Sequence, residues 1–246
     1  MTRLLAIVPA RAGSKGVPGK NKALISGRPL VEFTVAALEA SPSVDAILLT
    51  TDDSEILGLY KDRKSVFLVA RPPELATDQA TTSAAVMHAL KVWEAAGHDL
   101  PESILLAQPT TPLRTAADID AAYRLFLASG TGSLISACRV DGMRHPRDMY
   151  RPREDTRGEL FIPDAEDRST RHSYETLYQR NGAIYIVSLD YFIREGRLRS
   201  LTPVIYEMPW ERSINIDGSG DLIIAKALIE SGLITAESHS DDDSRD

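Results

Sequence analysis

An α/β fold around a mostly parallel sheet is what this sequence predicts, and three observations predict it. Short runs rich in Val, Ile and Leu alternate with segments of helical periodicity, the pattern of strands buried on both faces and joined by crossover helices. A glycine-rich turn follows the first apolar run directly, at the place where open α/β sheets bind ligands. The 246 residues, 43% hydrophobic and 26% charged, suit a soluble domain with a full core.

Taken in order, the apolar runs at 4–8, 46–50, 66–69, 103–107, 133–137, 183–187 and 204–208 are the expected strands. Helices are expected over 29–40, 54–60, 82–96, 116–128 and 220–231. The fourth of these is the clearest. Thr115 can cap its N-terminus, and Asp118 puts negative charge in the first turn. Ile119, Ala122, Tyr123, Phe126 and Leu127 fall on one face, and Gly130 ends the helix. One segment breaks the rhythm: 139–179 is crowded with Arg, Asp, Glu, His and Pro, and its apolar cluster, 160–162, is short. A structureless loop of that length is improbable inside a compact domain, so the segment should carry function or build an interface. The expected division is a main α/β domain from 1–138 and 180–234, an inserted segment over 139–179, and an acidic disordered tail over 235–246.

The formal charge is −7, and the closing ESHSDDDSRD holds five acids against one arginine, leaving −3 for the body. No basic run suggests a nucleic-acid surface, and no apolar stretch approaches the roughly 18 residues that span a bilayer. MTR leads straight into a strand-like run without a cleavage pattern, and Cys138 is the single cysteine. The cytoplasm is therefore the expected compartment. The five histidines have no ligand spacing, so zinc is not implied. Cys138 reads as a small core residue, and Trp93 and Trp210 as core or interface.

The stretch PARAGSKGVPGKN is basic and glycine-rich, yet it fits neither common phosphate loop. Gly19-Lys20 is followed by Asn21 rather than Ser or Thr, and the GxGxxG spacing of a dinucleotide reductase is missing. What remains is a backbone able to approach an anion closely, with Arg11 for bidentate contacts and Lys15 and Lys20 as point charges. A solvated basic turn is the plain alternative; glycine density beside a buried strand favours the anion, and a nucleotide triphosphate suits the pattern.

Five stretches carry a resemblance in order. PARAGSKGVPGKN is similar to the N-terminal signature of the cytidylyltransferases that activate nonulosonic acids, the CMP-sialic acid synthetase family. RPPELATDQATT resembles its nucleotide-base segment, LLAQPTTPLRT its LLQPTSPLR strand end, RNGAIYI its NGAIY segment, and RSINIDGSGDL its SIDID motif. The resemblance implies a three-layer, Rossmann-like nucleotidyltransferase fold with a small inserted dimerisation element, hence a homodimer. It implies transfer of CMP from CTP to the anomeric 2-hydroxyl of a nine-carbon 2-keto sugar acid, with release of pyrophosphate and with Mg²⁺, or Mn²⁺, present.

The same resemblance implies that Arg11, Ser14, Lys15, Lys20 and Asn21 hold the phosphates and nearby nucleotide. Lys20 is the first choice for stabilising charge on the phosphoryl oxygens and the leaving pyrophosphate. Arg71, Asp78, Ala80 and Ser83 would surround the cytosine and ribose. Gln108, just past a strand end, would face the sugar acid, although a buried structural Gln fits its position too. Arg171 matches an arginine that meets the acceptor carboxylate, Asn181 would shape the site, and Tyr185 would line the sugar pocket or pack. The metal motif departs from the family: Asn215 stands where the first Asp is usual, leaving Asp217. One carboxylate with substrate phosphates can still hold Mg²⁺, so Asp217 and Asn215 are the expected metal residues. Asp221 suits the start of the following helix instead.

Three alternatives are weaker. Kdo-activating enzymes typically have QGDEP where this chain has QPTTP, so Thr110 replaces an acid. Sugar-1-phosphate nucleotidyltransferases carry a GxGxR-type loop that is absent. A CTP-binding homologue with impaired catalysis is motivated by Asn215 but opposed by Lys20, Gln108 and Asp217.

Overall fold

The first apolar run forms β1 (Leu4–Pro9), on which the rest of the sheet is laid. The computed structural model describes residues 2–13, 16–154, 156–162 and 175–232. After β1 come a short hairpin, β2 (Leu24–Ile25) and β3 (Arg28–Pro29), then α1 (Leu30–Glu39), β4 (Ala46–Thr51), α2 (Ser54–Tyr60) and β5 (Val66–Ala70). There follow α3 (Thr82–Ala95), β6 (Ser103–Leu106), α4 (Ala116–Ser129) and β7 (Ser133–Arg139). A second hairpin, β8 (Tyr150–Pro152) and β9 (Gly158–Leu160), precedes β10 (Tyr178–Ser188), α5 (Leu189–Glu195), β11 (Val204–Glu207) and α6 (Ser219–Glu230).

The main sheet has seven strands in the order β11-β7-β10-β6-β1-β4-β5. β10 runs antiparallel to both its neighbours, and every other pairing is parallel. Every strand expected from the apolar runs is in this sheet, and every expected helix is present. Both hairpins and α5 were not anticipated. Strands of two or three residues carry no readable period, and α5 is only seven residues long.

Alternation along β1 explains the three layers. Leu4, Ala6 and Val8 pack with Val31, Val35 and Leu38 of α1 and with Ile119, Ala122 and Phe126 of α4. Leu5 and Ile7 face the other way, toward Val86, Leu90 and Trp93 of α3 and Phe192 of α5. Each fully buried aliphatic side chain of this kind contributes about 1.5–3 kcal/mol. α4 has the expected capping box: Asp118 N donates to Thr115 Oγ1 at 3.1 Å and Thr115 N to Asp118 Oδ2 at 2.9 Å. Gly130 closes that helix at φ 61°, which glycine adopts without steric cost. Leu127 departs from the expected face and is exposed, because it lies at the edge of the apolar stripe. Trp93 is core, whereas Trp210 is exposed and Cys138 only half-buried.

A third, small cluster matters most for function. Ile25 of β2 and Leu30 of α1 pack with Ile216 and with Ala225 of α6, all fully buried. It ties the chain before α6 to the segment after β1.

Candidate active site

From β1 the chain crosses to β4 and β5 on one side, then returns to β6 on the other. The crevice beyond the C-terminal ends of β1 and β6 is therefore the topological switch point, where ligands of open α/β sheets bind. Three adjoining cavities occupy it. One of about 190 Å³ is lined by Arg11, Arg71, Asp78 and Ala80 among others. The next, about 220 Å³, has Arg11, Lys20, Asn21, Arg71, Gln108 and Thr110 in its walls. The largest, about 510 Å³, is bounded by Ser83, Gln108, Tyr185 and three arginines. Thr82 lines all three, so they form one continuous cleft.

The loop after β1 is held open by its neighbours. Ala12 N donates to Asp52 Oδ1 at 2.8 Å, and Asn21 Nδ2 donates to the Arg11 carbonyl at 2.9 Å. Gly16 passes so close to the segment before α6 that an added Cβ would lie 1.8 Å from the Asp217 carbonyl oxygen. Lys20 is buried; its ammonium donates to the Ile216 carbonyl at 2.5 Å and lies 3.7 Å from Asp217 Oδ1. Lys22 is turned away from the cleft, pairing with Glu55 at 2.7 Å and Asp53 at 3.1 Å. Burial alone would raise the Asp53 carboxyl, but hydrogen bonds from Lys22 and from the first backbone N–H groups of α2 hold it below its ordinary value.

In the smallest cavity Arg11 pairs with Asp78 at 2.9 Å and donates to the Thr77 carbonyl at 3.2 Å. Two residues expected around one nucleotide are thus in direct contact. Ala80 N donates to Thr77 Oγ1 at 3.2 Å, closing the turn that shapes this wall. Arg71 is buried, donates to the Thr50 carbonyl at 2.9 Å, and has its guanidinium pKa lowered by burial. Ser83 does not join them. Thr81 caps α3, so Ser83 stands in its first turn and lines the largest cavity instead.

Gln108 divides the two larger cavities. Its carbonyl accepts from Arg114 Nη2, which also donates to the Thr111 carbonyl at 2.6 Å. Arg114 is buried beneath this turn, and burial lowers its guanidinium pKa. Asn181 supports the wall of the site from within. Buried in a bulge of β10, it accepts from Ser136 Oγ at 2.6 Å and donates to Ser213 Oγ at 2.8 Å, so its amide is used up internally. Next to it Gly182 has φ +80°, and a Cβ there would meet Gln108 Oε1 at 3.2 Å. Tyr185 faces the largest cavity, its hydroxyl pKa raised mainly by burial.

The segment before α6 is positioned by Ile216. Its side chain is buried in the third cluster, its N–H donates to the Thr110 carbonyl at 2.7 Å, and its carbonyl accepts from Lys20. Asn215 and Asp217 on either side are left outside that cluster, and Asn215 Nδ2 donates to Asp217 Oδ2 at 2.6 Å. Asp221 accepts from Gly218 N at 2.8 Å and so caps α6. Upstream, Arg212 pairs with buried Asp118 at 2.8 Å, fastening the segment to the cap of α4.

A family model described as Cytidylyltransferase matches residues 5–206. The chain belongs to the cytidylyltransferase family. It is 30% identical over 224 residues to an N-acylneuraminate cytidylyltransferase of Escherichia coli O18:K1:H7, covering 91% of this chain and 51% of that protein. The chain spans about half the length of this and other N-acylneuraminate cytidylyltransferases that it matches. It is 29% identical to a CMP-N,N'-diacetyllegionaminic acid synthase of Legionella pneumophila, covering 93% of this chain and 97% of that protein. Among solved structures, a CMP:2-keto-3-deoxy-manno-octonic acid synthetase complexed with CTP superposes with TM-score 0.66 at 13% identity, covering 94% of this chain and 100% of that one. At that identity the likeness shows the fold alone.

Of the site residues expected for this family member, Ser14, Lys15 and Arg171 lie outside the described residues. Among the described residues no group of three or more His, Cys, Asp or Glu could hold a metal by itself. The donor set is instead one open carboxylate, Asp217, with its side chain 77% exposed, and a neighbouring amide. That set fits a hard cation sharing its shell with phosphates and water.

Several residues of the site escaped sequence reasoning. Asp118, Arg114 and Arg212 support its walls. The capping pattern flagged Asp118 only as a helix start, because its second role depends on an arginine 94 positions away. Arg197 and Arg199, in GRLRS, look like any solvated basic turn.

Proposed function

We propose that this chain transfers CMP from CTP to the anomeric 2-hydroxyl of a nonulosonic acid of the sialic, legionaminic or pseudaminic type, releasing pyrophosphate. The observation that carries the reading is the continuity of three cavities along one cleft, with Gln108 and Thr82 at the junction of the second and third. The first, with Arg71, Asp78 and Ala80, has the size and polarity for the nucleoside end of CTP. The second, walled by Arg11, Gly13, Lys20 and Asn21, suits the triphosphate. The third takes the acceptor. The names of the relatives support the same assignment.

In this reading the acceptor oxygen attacks the α-phosphorus at the junction, and the bond to the pyrophosphate oxygen breaks. Negative charge then grows on the phosphoryl oxygens and the departing pyrophosphate. Lys20 is pre-set for that charge: it is buried, and its ammonium is oriented by the Ile216 carbonyl, so no reorganisation accompanies the reaction. Arg11 exchanges Asp78 for phosphate as CTP enters, with Ser14, Lys15 and Asn21 completing the phosphate shell. Asp217 and Asn215 hold Mg²⁺, or Mn²⁺, together with the substrate phosphates. Such an ion, when bound, supplies charge neutralisation at the phosphates.

The protein works in the cytoplasm as a homodimer built on the segment over 139–179. Support for the pairing comes from its hairpin, on which Met149, Tyr150 and Phe161 are exposed together. No helix among the described residues is long and apolar enough to cross a membrane.

The test is pyrophosphate release from CTP and Mg²⁺ with each of the three acids. One acid should support turnover and yield a CMP-sugar; no product with any of them would reject the assignment.

A further inference from the structure

Arg114 lines none of the three cavities, and it sits where a cation is costly. It is buried and forms no ion pair among the described residues. It also stands just before Thr115, the N-cap of α4, at the positive end of that helix dipole. Asp118 does not pair with it: that carboxylate accepts from Arg212 at 2.8 and 3.0 Å and from Thr115 and Tyr206. Nε and Nη1 of Arg114 are buried too, with no hydrogen-bond partner among the described residues. The lowered guanidinium pKa belongs to a charge taken out of water without full compensation. Departures of this kind from local rules gather at functional sites.

What Arg114 holds is the turn QPTTP. Its Nη2 donates to the carbonyls of Gln108 and Thr111, the second at 2.6 Å. Each of those carbonyls precedes a proline, Pro109 or Pro112, so the turn lacks two N–H donors of its own. The hydrogen bond across it, from Thr111 N to the Gln108 carbonyl, is long at 3.4 Å. Donors from outside therefore fix this backbone. On the phosphate side Ile216 N donates to the Thr110 carbonyl at 2.7 Å. On the core side Arg114 grips the main chain of Gln108, whose side chain stands between the second and third cavities.

We propose that Arg114 is a positioning residue for the transfer reaction: its buried guanidinium fixes the main chain of Gln108, and Gln108 sets the geometry at the junction of the two larger cavities. Arg114 touches no substrate and acts through Gln108. The inference rests on the proposed function above and adds to it a residue outside the cavity walls.

The experiment is a double-mutant cycle of Arg114→Met and Gln108→Ala, with Arg114→Lys alongside. Each is read as kcat and KM for pyrophosphate release from CTP and Mg²⁺ with the acid that the wild type turns over. Rates are taken well below each variant's thermal midpoint, which Arg114→Met should lower. A misplacement of about 1 Å costs about 100-fold in rate, so kcat of Arg114→Met should fall about tenfold to a hundredfold. The KM for CTP should stay unchanged, because no residue of the turn lines the nucleoside cavity. Arg114→Lys should recover part of the loss, since charge returns without the fork. On the Gln108→Ala background, Arg114→Met should cost no more than roughly a further twofold, since residues that act as one unit are not additive. A lowered midpoint with normal kcat would overturn the proposal, and so would losses that multiply in the double variant. If Arg114→Met does not fold, Arg114→Lys takes its place in the cycle under the same criteria. A wild type inactive with every acid would remove the proposed function and this inference together, whereas an active wild type isolates the Arg114 assignment.

Discussion

Replacing Gly16 with alanine tests how the cleft is assembled, because one methyl group there has nowhere to go. Its Cβ would lie 1.8 Å from the Asp217 carbonyl oxygen, and real Cβ atoms essentially never approach within 3.0 Å. Restoring that limit requires the loop after β1 and the segment before α6 to part by roughly 1.2 Å, since close-packed atoms cannot be compressed. Lys20 and Asp217 stand on opposite sides of that contact. A displacement of about 1 Å can lower a rate roughly 100-fold, or about 2.7 kcal/mol in transition-state stabilisation. Gly16 is exposed and outside the core clusters, so the thermal midpoint should change little. The assay is initial-rate pyrophosphate release with Gly16→Ala and wild type, alongside thermal unfolding. Near-normal kcat in the variant would refute the claim that this contact sets the site.

Four further outcomes follow from the same geometry. Lys20→Ala should reduce turnover by about 10²–10³ while circular dichroism stays native; normal turnover would remove its electrostatic role. Asn215→Asp would set a second carboxylate against Asp217, which disfavours ionising both, so its thermal midpoint should be lower without Mg²⁺ and recover in a Mg²⁺ titration that an unchanged midpoint would contradict. Arg212→Met leaves buried Asp118 without its cation and should destabilise by roughly 3 kcal/mol, the low end for a broken buried pair, read from the urea midpoint. Asp53 has a depressed folded pKa, so its stabilisation is full above the unfolded value of about 3.9 and is lost as pH falls through the lower folded one. Lys22→Met should therefore lower stability at neutral pH and flatten its fall in acid, and an unaltered acid profile would count against the Lys22–Asp53 link.

Much of the fold was legible because its signals are local. A run such as LLAIV needs only its own apolar residues to be recognised as a strand buried on both faces, and Thr115 with Asp118 announces a helix start within four positions. The hairpins and α5 were not legible, since so few residues carry no period. The same distinction holds in the site. The opening loop was marked by glycines and cations lying together, but the fate of each cation was not. Lys20 turned inward to the Ile216 carbonyl, Lys22 outward to Asp53 and Glu55, and Arg11 to Asp78. Asn181 has the residue type of a ligand-binding amide, and only its neighbours reveal that its hydrogen bonds are already used.

By itself, then, the sequence determined the strand and helix order, because those signals rest on residues close in the chain, and its five ordered stretches carried the membership of the cytidylyltransferase family. Tertiary structure alone decided that Ile216, anchored beside Ile25 and Leu30, brings the segment of Asn215 and Asp217 to Lys20. It alone also gathered Arg180, Arg197 and Arg199 around one cavity. Those groupings depend on packing between segments far apart in the chain, and no local pattern of residues encodes them.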